Sequence, residues 1–247
     1  MELKIMTYNI MSGRDYYKLE HCGIGWMSPE VVNPSLVAEV IKENGADIVG
    51  MNEVHDAGGI FDNQTERIAK EAGYDYCYFA KAIMDGESPY GNAILSKYPI
   101  VEVETVELAA GDPNEDRRCE ARSIANVTID VEGQKVKVMT SHFGLLESEK
   151  DTAMKAIKEI INNSPYPCIL MGDFNMEPNE DRIIELKNIL KDTAPDEIDK
   201  NWYTFSSDKP YMKIDYIFVD KNIEVKSAGP VEAEPSDHKP YVAEIVL

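Results

Sequence analysis

The sequence predicts an α/β fold in which two β-sheets pack face to face and helices cover their outer sides. Many short apolar segments with the composition of strands run along the chain, and only a few amphipathic helices lie between them. Some strands follow one another through hairpin turns, such as Glu132 and Gly133, a two-residue connection typical of antiparallel pairs. A single parallel sheet needs a long crossover between successive strands, so two packed sheets fit this order better.

The first half of the chain begins with a strand and a long loop. Residues 2–10 alternate apolar and polar side chains, and residues 12–34 are rich in glycine and aromatic residues. Asn33 and Pro34 begin a helix that Gly45 ends. The other elements predicted here are strands at 47–54, 74–79, 92–96 and 101–108 and a helix at 63–72.

Hairpin strands and two further helices are predicted for the second half. Residues 111–120 form a polar loop, and the Glu132 turn joins two strands at 123–131 and 135–141. Ser148, with Asp151 three residues later, is expected to cap a helix. The remaining predicted elements are strands at 168–171, 214–219, 223–227 and 241–246 and a helix at about 180–190.

Composition and charge argue against several classes of protein. The 247 residues are 43% hydrophobic, and neither a repeat nor a linker divides them, so we expect a single domain, residues 1–247. Twenty-five Lys and Arg against 45 Asp and Glu give a net charge of −20. Because binding to nucleic acid or an anionic membrane depends on basic residues, this charge disfavours both partners. No apolar run reaches the roughly 18 residues of a membrane span.

The N-terminus and the cysteines favour a cytoplasmic location. The first ten residues lack the basic, apolar and cleavage regions of a signal peptide. The four cysteines form neither a CxxC pair nor a dense disulfide framework; they are Cys22, Cys77, Cys119 and Cys168.

Polar residues suited to metal-dependent chemistry lie within or just after the apolar strands. They are Asn9, Glu53, His142, Asp173, Asn175, Asp215, Asp237 and His238. Each alone could be a cap or a solvated loop residue, and Asn9 could equally be a turn residue. Carboxylates and an Asn carbonyl are ligands that Mg²⁺ prefers, whereas no Cys/His spacing indicates zinc. Asp215 lies within an apolar strand and needs a partner, for which His238 is the candidate.

Seven segments carry a resemblance to a known family. They read Thr-Tyr-Asn9-Ile, Asn-Glu53-Val, Tyr-Gly-Asn92-Ala-Ile-Leu-Ser, Ser-His142-Phe-Gly-Leu, Gly-Asp173-Phe-Asn175, Ile-Asp215-Tyr-Ile-Phe and Ser-Asp237-His238-Lys-Pro. In this order they are similar to the motifs of the endonuclease/exonuclease/phosphatase superfamily. The resemblance implies a four-layer α/β/β/α sandwich of two mixed sheets. It also implies hydrolysis of a phosphate ester that depends on Mg²⁺, with Mn²⁺ as a substitute.

The resemblance further assigns roles around a metal ion and an attacking water. Glu53 matches the principal metal ligand, with Asn9 and Asp237 beside it. Asp173 matches the residue that orients or deprotonates the water, and Asn175 the residue that steadies the phosphate.

Two histidines match groups that contact the reacting phosphate. His238 matches the histidine beside the scissile phosphate, and Asp215 the carboxylate that keeps it charged. A cation at that place stabilises negative charge in the transition state. His142 matches a general acid toward the leaving oxygen, a task that suits an imidazole.

Further residues match the phosphate pocket or depart from the family pattern. Asn92 and Arg122 match polar groups of the pocket, and Arg117 and Arg118 compete with Arg122. Asn52 stands where many relatives carry Gln, which puts in doubt how the metal-binding Glu53 is supported.

Other residues of the same chemical types lie outside the motifs. For His21 and His55 we favour a structural role. Tyr16, Tyr17 and Trp26 could cover the domain or stack on a substrate near Asn9.

The sequence thus predicts a metal-dependent phosphohydrolase whose substrate is a small phosphodiester or phosphomonoester with a sugar, inositol or lipid head group. A DNA or RNA nuclease that uses the same residues is the alternative. A non-catalytic binding protein on this fold is a further rival, although the residues expected for catalysis are all present. No protein partner is identifiable from the sequence.

Overall fold

The computed structural model describes residues 1–116 and 119–247. Within these residues the strands are β1 (Glu2–Asn9), β2 (Ile48–His55), β3 (Tyr76–Asp85), β4 (Ser88–Ser96), β5 (Ile100–Leu108), β6 (Arg122–Val131), β7 (Gln134–Ser141), β8 (Cys168–Asp173), β9 (Lys191–Asp192), β10 (Asp215–Val219), β11 (Glu224–Pro230) and β12 (Tyr241–Val246). The helices are α1 (Tyr16–His21), α2 (Pro34–Asn44), α3 (Gln64–Ala72), α4 (Glu147–Asn163) and α5 (Asp181–Ile189).

The strands form two mixed sheets of six strands each. One sheet has the order β11-β12-β1-β2-β4-β3, in which only β1 and β2 are parallel. The other has the order β5-β6-β7-β8-β10-β9, in which only β7 and β8 are parallel. The predicted sandwich of two mixed sheets flanked by helices is therefore confirmed.

Three apolar clusters separate the four layers. The two sheets enclose a core between them, to which β1 contributes Ile5 and β8 contributes Met171. The opposite face of β1 presents Tyr8 to a second cluster under α2 and α3. A third cluster lies between the second sheet and helices α4 and α5, and includes Phe174. Because the central strands are buried on both faces, they carry nearly continuous apolar runs.

The structure corrects several details of the predicted elements. Helix α1 lies inside the segment predicted as loop, where the Asp15 carboxylate accepts a hydrogen bond from the Lys18 backbone N–H. Strands β3 and β4 are longer than predicted and form one hairpin, because Gly86 with φ +59° allows a tight turn between them. The short edge strand β9 has no clear sequence pattern.

The predicted cap at Ser148 is wrong. Helix α4 begins at Glu147, two residues before the start that a cap at Ser148 implies, because the carboxylate of Glu149 accepts the Leu146 backbone N–H at 3.2 Å. The Ser148 hydroxyl instead donates to Glu115 Oε2 at 2.7 Å. Among the described residues, the structure contains no helix with the length and apolar character needed to cross a membrane.

Close packing between the sheets predicts that Gly50→Ala destabilises the fold. A Cβ at Gly50 would lie 2.8 Å from Thr140 Oγ1 and 2.9 Å from the Met171 side chain. Overpacking of this kind costs about 1–3 kcal/mol, which urea denaturation would measure as a lower midpoint. The control is Gly229→Ala, because a Cβ there meets nothing within 4 Å. Equal stability of the two variants would contradict the prediction.

Candidate active site

The polar motif residues meet at one edge of the two sheets. Asn9 and Glu53 lie near the ends of the parallel strands β1 and β2, and Asp173 ends β8. Asp215 begins β10, which runs antiparallel to β8 and places Asp215 opposite Asp173. Because parallel strands end, and their antiparallel neighbours begin, at the same edge, residues far apart in the chain come together there.

Gly172 allows the second sheet to bring Asp173 close to His142. Its φ is +145°, a conformation that L side chains rarely adopt, and a Cβ there would collide with the Ser141 carbonyl oxygen. The backbone N–H of Phe143 then donates to the Asp173 carbonyl at 2.9 Å. Glycine at this position therefore permits the close approach of the two strand ends.

Asn9 links carboxylates of both sheets. Its Nδ2 donates to Glu53 Oε1 and to Asp173 Oδ2, at 3.0 Å in each case. Its Oδ1 accepts the Met11 backbone N–H at 3.0 Å. With this orientation Asn9 positions the two carboxylates, and it would offer oxygen to a metal ion only after rotation of the amide.

Glu53 is a carboxylate with a strained backbone and a partly buried side chain. Its φ of +58° lies in the left-handed region, which is costly for a residue with a Cβ. Burial raises the pKa of Glu53, and the negative charge of Asp237 raises it further, against the opposing effects of Asn9, His238 and Arg122.

The pKa of Asp237 is also raised, first by burial and also by Asp215. Two carboxylates whose charged forms are disfavoured in this way suit a divalent cation, which would neutralise both.

A second group of ligand atoms lies next to these two carboxylates. One ligand atom each from Asp173, Asp215 and His238 lies within 4.8 Å of the others, which is close enough for all three to hold a metal ion. His238 Nδ1, however, forms a 2.9 Å hydrogen bond with Asp215 Oδ2, which occupies that ring nitrogen.

His238 and Asp215 form the pair that the sequence predicts. Burial lowers the pKa of His238, but Asp215 and Asp173 outweigh it and raise the pKa to about 10. The backbone of His238 is fixed by the Ser236 hydroxyl at 3.2 Å, and that hydroxyl lies 2.7 Å from the Asn9 carbonyl. A charged imidazole is therefore held beside the carboxylates.

Asp173 has the surroundings of a proton acceptor. Its Oδ2 lies 3.6 Å from His238 Nε2 and 3.4 Å from His142 Nε2, and its Oδ1 accepts the Asn175 backbone N–H at 3.0 Å. Burial raises the pKa of Asp173 to about 7, although the charge of His238 opposes this. A carboxylate with this pKa exchanges protons with water near neutral pH.

His142 is kept neutral by its surroundings. Burial lowers its pKa well below the ordinary value, and the charges of Arg122 and His238 lower it further. Its Nε2 lies 3.0 Å from Asn175 Nδ2, and its Nδ1 lies 3.3 Å from Arg122 Nη1. As a general acid, the role expected from the sequence, His142 would first have to take up a proton.

Asn92 lies between the two sheets, where its whole side-chain amide is hydrogen-bonded. Its Oδ1 accepts from Asn52 Nδ2 at 2.7 Å, and its Nδ2 donates to the Ser123 carbonyl at 2.8 Å. Asn52 in turn accepts the Asp173 backbone N–H at 2.9 Å. Asn52 and Asn92 thus form a polar link between the sheets that leaves Asn92 no free group for a phosphate.

Arg122 lies beside His142 in the cluster. Its Nη1 forms a 2.8 Å ion pair with Glu120, and its side chain also forms a hydrogen bond with Tyr90. Its buried Nε has no partner among the described residues. The competing Arg117 and Arg118 lie outside the described residues.

Sequence reasoning assigned no role to Tyr90 and Ser236, which bond to Arg122 and to the Asn9 carbonyl and the His238 backbone. Both residues lie within the quoted motifs, and the sequence analysis noted Asn52 only as a departure from the family pattern. The two remaining histidines lie outside the cluster: His21 is exposed, and His55 is buried with its ring stacked on Phe61 at 3.7 Å.

Comparison with known proteins agrees with this architecture. An alignment of 263 residues with the Escherichia coli (strain K12) protein YbhP shows 26% identity and covers 99% of this chain and 96% of that protein. The crystal structure of an endonuclease/exonuclease/phosphatase from Beutenbergia cavernae DSM 12333 is 24% identical, with a TM-score of 0.76, and the match covers 100% of this chain and 72% of that one. A mannosyl-6-phosphatase of Bacteroides thetaiotaomicron VPI-5482 is 19% identical, with a TM-score of 0.72 over 99% of this chain and 100% of that one.

A match to a family model identifies the family of this chain. The model, described as the Endonuclease/Exonuclease/phosphatase family, matches residues 6–238. This range contains every residue of the cluster described above and confirms the resemblance found in the sequence motifs. The chain belongs to the endonuclease/exonuclease/phosphatase family.

Proposed function

We propose that this protein hydrolyses a phosphate ester by in-line attack of a water molecule that Asp173 aligns and deprotonates. The observation that carries the proposal is the position of Asp173, whose carboxylate, with a pKa of about 7, lies 3.6 Å from His238 Nε2 and 3.4 Å from His142 Nε2. A proton acceptor beside a charged imidazole suits attack on a phosphate.

A divalent metal ion, Mg²⁺ or Mn²⁺ as a substitute, completes the proposed site. Glu53 and Asp237 would hold it, and Asn9 would be a further ligand if its amide rotated. The ion would supply positive charge to the phosphate oxygens. The fit rests on the raised pKa values of the Glu53 and Asp237 carboxyls, which an adjacent cation would lower.

The chain's own side chains supply the other roles. Asp173 takes the proton of the water, and His238 carries positive charge toward the phosphoryl oxygens. Asp215 keeps that imidazole charged and fixes its orientation. Arg122 contacts the phosphate, and Asn175 does so once its Nδ2 gives up its bond to His142 or to the Phe143 carbonyl. The leaving oxygen takes its proton from His142 or from water. We propose that this reaction takes place in the cytoplasm.

The proposed substrate is a small phosphomonoester or phosphodiester, with a sugar, inositol or lipid head group. A net charge of −20 repels long polyanions, and a sugar phosphatase with the same fold is consistent with a small substrate. A DNA or RNA nuclease that uses the same residues remains the alternative, and a binding protein without activity the less favoured rival.

Replacement of the proposed metal ligand tests metal dependence. We expect Glu53→Gln to lower hydrolysis of p-nitrophenyl phosphate and bis-p-nitrophenyl phosphate by about 100-fold or more, because it removes charge that holds the cation. Wild-type activity should require Mg²⁺ or Mn²⁺ and disappear with EDTA. Glu71→Gln, on the surface of α3, is the matched control. Turnover that survives both EDTA and Glu53→Gln would refute the proposed metal site.

Asp173→Asn keeps the size of the side chain but removes its capacity to accept a proton. We expect kcat to fall by about 10²–10⁴-fold, the usual contribution of a general base, in a variant that circular dichroism shows to be folded at the assay temperature. Asp181→Asn, at an exposed position in α5, should leave kcat unchanged. If Asp173→Asn retained full activity, Asp173 would not be the base.

Small phosphate esters and oligonucleotides should respond differently to the negative charge of the protein surface. We expect kcat/KM for small esters to exceed that for a single-stranded 20-mer of DNA or RNA, because the acidic surface opposes long polyanions at low salt. Hydrolysis assays in 20 and 200 mM NaCl would measure both. Faster, salt-sensitive cleavage of the oligonucleotides would support the nuclease instead.

A further inference from the structure

Arg14 is a buried arginine that the proposed reaction does not use. It is 2% exposed, and its Nε donates to the Trp26 carbonyl at 3.1 Å. Among the residues that the structure describes, neither terminal nitrogen forms a hydrogen bond or an ion pair within 4.0 Å. Neither terminal nitrogen is fully enclosed by protein, so both remain in contact with solvent. The guanidinium group is therefore fixed at Nε, whereas its two terminal nitrogens, here called the free edge, have no partner among the described residues.

Two aromatic rings and the backbone hold this guanidinium in place. Its Cζ lies 4.1 Å from the centroid of Trp26 and 4.9 Å from that of Phe61. The backbone of Arg14 forms a β-bridge with Val32, and the Gly13 carbonyl accepts the Asn33 N–H at 2.8 Å. Trp26 thus packs on the guanidinium of Arg14 while one part of its ring stays exposed. An arginine held in this way loses little conformational entropy when it binds a ligand.

The position of Arg14 is next to the candidate active site. The loop that carries it leaves β1 directly after Asn9, and its charge interacts with Glu53, Asp85 and Tyr90. The charge of Arg122 also acts on Glu53, and Arg122 forms a hydrogen bond with Tyr90. The charges of two arginines therefore act on Glu53 in a chain with a net charge of −20.

A purely structural role does not account for the free edge. Buried charged groups are normally paired or fully hydrogen-bonded, because removal of an ion from water is costly. The terminal nitrogens of a guanidinium present a planar fork that matches the two oxygens of a carboxylate or a phosphate. An anionic ligand would satisfy the donors that the protein leaves free.

We propose that Arg14, framed by Trp26 and Phe61, forms a second anion subsite beside the candidate active site. It binds a carboxylate or a second phosphate on the part of the substrate that lies beyond the scissile phosphate. This inference rests on the proposed function and narrows it to phosphate esters that carry another anionic group.

Pairs of esters that differ by one anionic group test the subsite. We would compare 2-phosphoglycerate with glycerol 2-phosphate, and fructose 1,6-bisphosphate with fructose 6-phosphate, for the wild type, Arg14→Gln and Arg14→Lys. In at least one pair, the wild type should prefer the ester that carries two anionic groups, by about tenfold or more in kcat/KM. Preference in the first pair identifies a carboxylate, and preference in the second identifies a phosphate.

The variants separate recognition from catalysis. Arg14→Gln should abolish the preference through KM, so that kcat/KM for the ester with two anionic groups falls about tenfold more than kcat/KM for the ester with one. Arg14→Lys, which keeps the charge but not the fork, should restore part of the preference. Arg182→Gln removes one positive charge from α5 instead of from this loop, and it should leave the preference between the two esters unchanged. A wild type without preference in either pair, or a preference that Arg14→Gln leaves intact, would overturn the inference.

A binding measurement keeps the test independent of turnover. Calorimetric titration of Asp173→Asn with 2-phosphoglycerate and fructose 1,6-bisphosphate, with and without Arg14→Gln, should show about tenfold weaker binding of at least one of them when Arg14 is lost. Equal affinities for both esters would overturn the subsite. If the wild type hydrolysed no ester but binding still depended on Arg14, the proposed function would fail and the subsite would stand.

Discussion

The burial of Asp173 at the junction of the two sheets is the constraint on which the site depends. This carboxylate is 1% exposed, yet both of its oxygens and its backbone N–H have partners on other strands or loops. A buried charge without such partners would cost several kcal/mol, about as much as the net stability of a small domain. The sheets must therefore meet in a single register for Asn9 and Asn52 to reach it.

The same constraint explains why the cluster contains so many amides. Asn9, Asn52, Asn92 and Asn175 each carry an amide with both donors and an acceptor, so one side chain connects two or more neighbouring polar groups without adding charge. A fully connected polar network fixes geometry, whereas an incomplete one destabilises the fold. Asn52 illustrates this because it accepts from Asp173 and donates to Asn92, and so joins the two sheets.

The charges of the cluster balance over short distances. The carboxylates of Asp173 and Asp215 face the cation of His238, and Glu53 lies near Arg122 and Arg14. Glu53 and Asp237 still repel each other, and the divalent cation of the proposed reaction would offset this repulsion. The strained backbone of Glu53, with φ +58°, and of Asn175, with φ +50°, lies in the same small region. Strain of this kind persists where the surrounding contacts determine the conformation.

The sequence by itself determined the layers and most of the residues that meet at the candidate site. Apolar periodicity and glycine or proline punctuation are local properties, so they predicted the strands other than β9, helices α2 to α5 and their sandwich order. Motif residues in family order predicted which side chains meet. Only the tertiary structure decided that Asn92 links the sheets, that Asn9 turns its nitrogen to the carboxylates and that Trp26 stacks on Arg14. These outcomes depend on partners brought together by folding, such as Asn52 and Asp173, which are 121 residues apart, and no local pattern encodes such a contact.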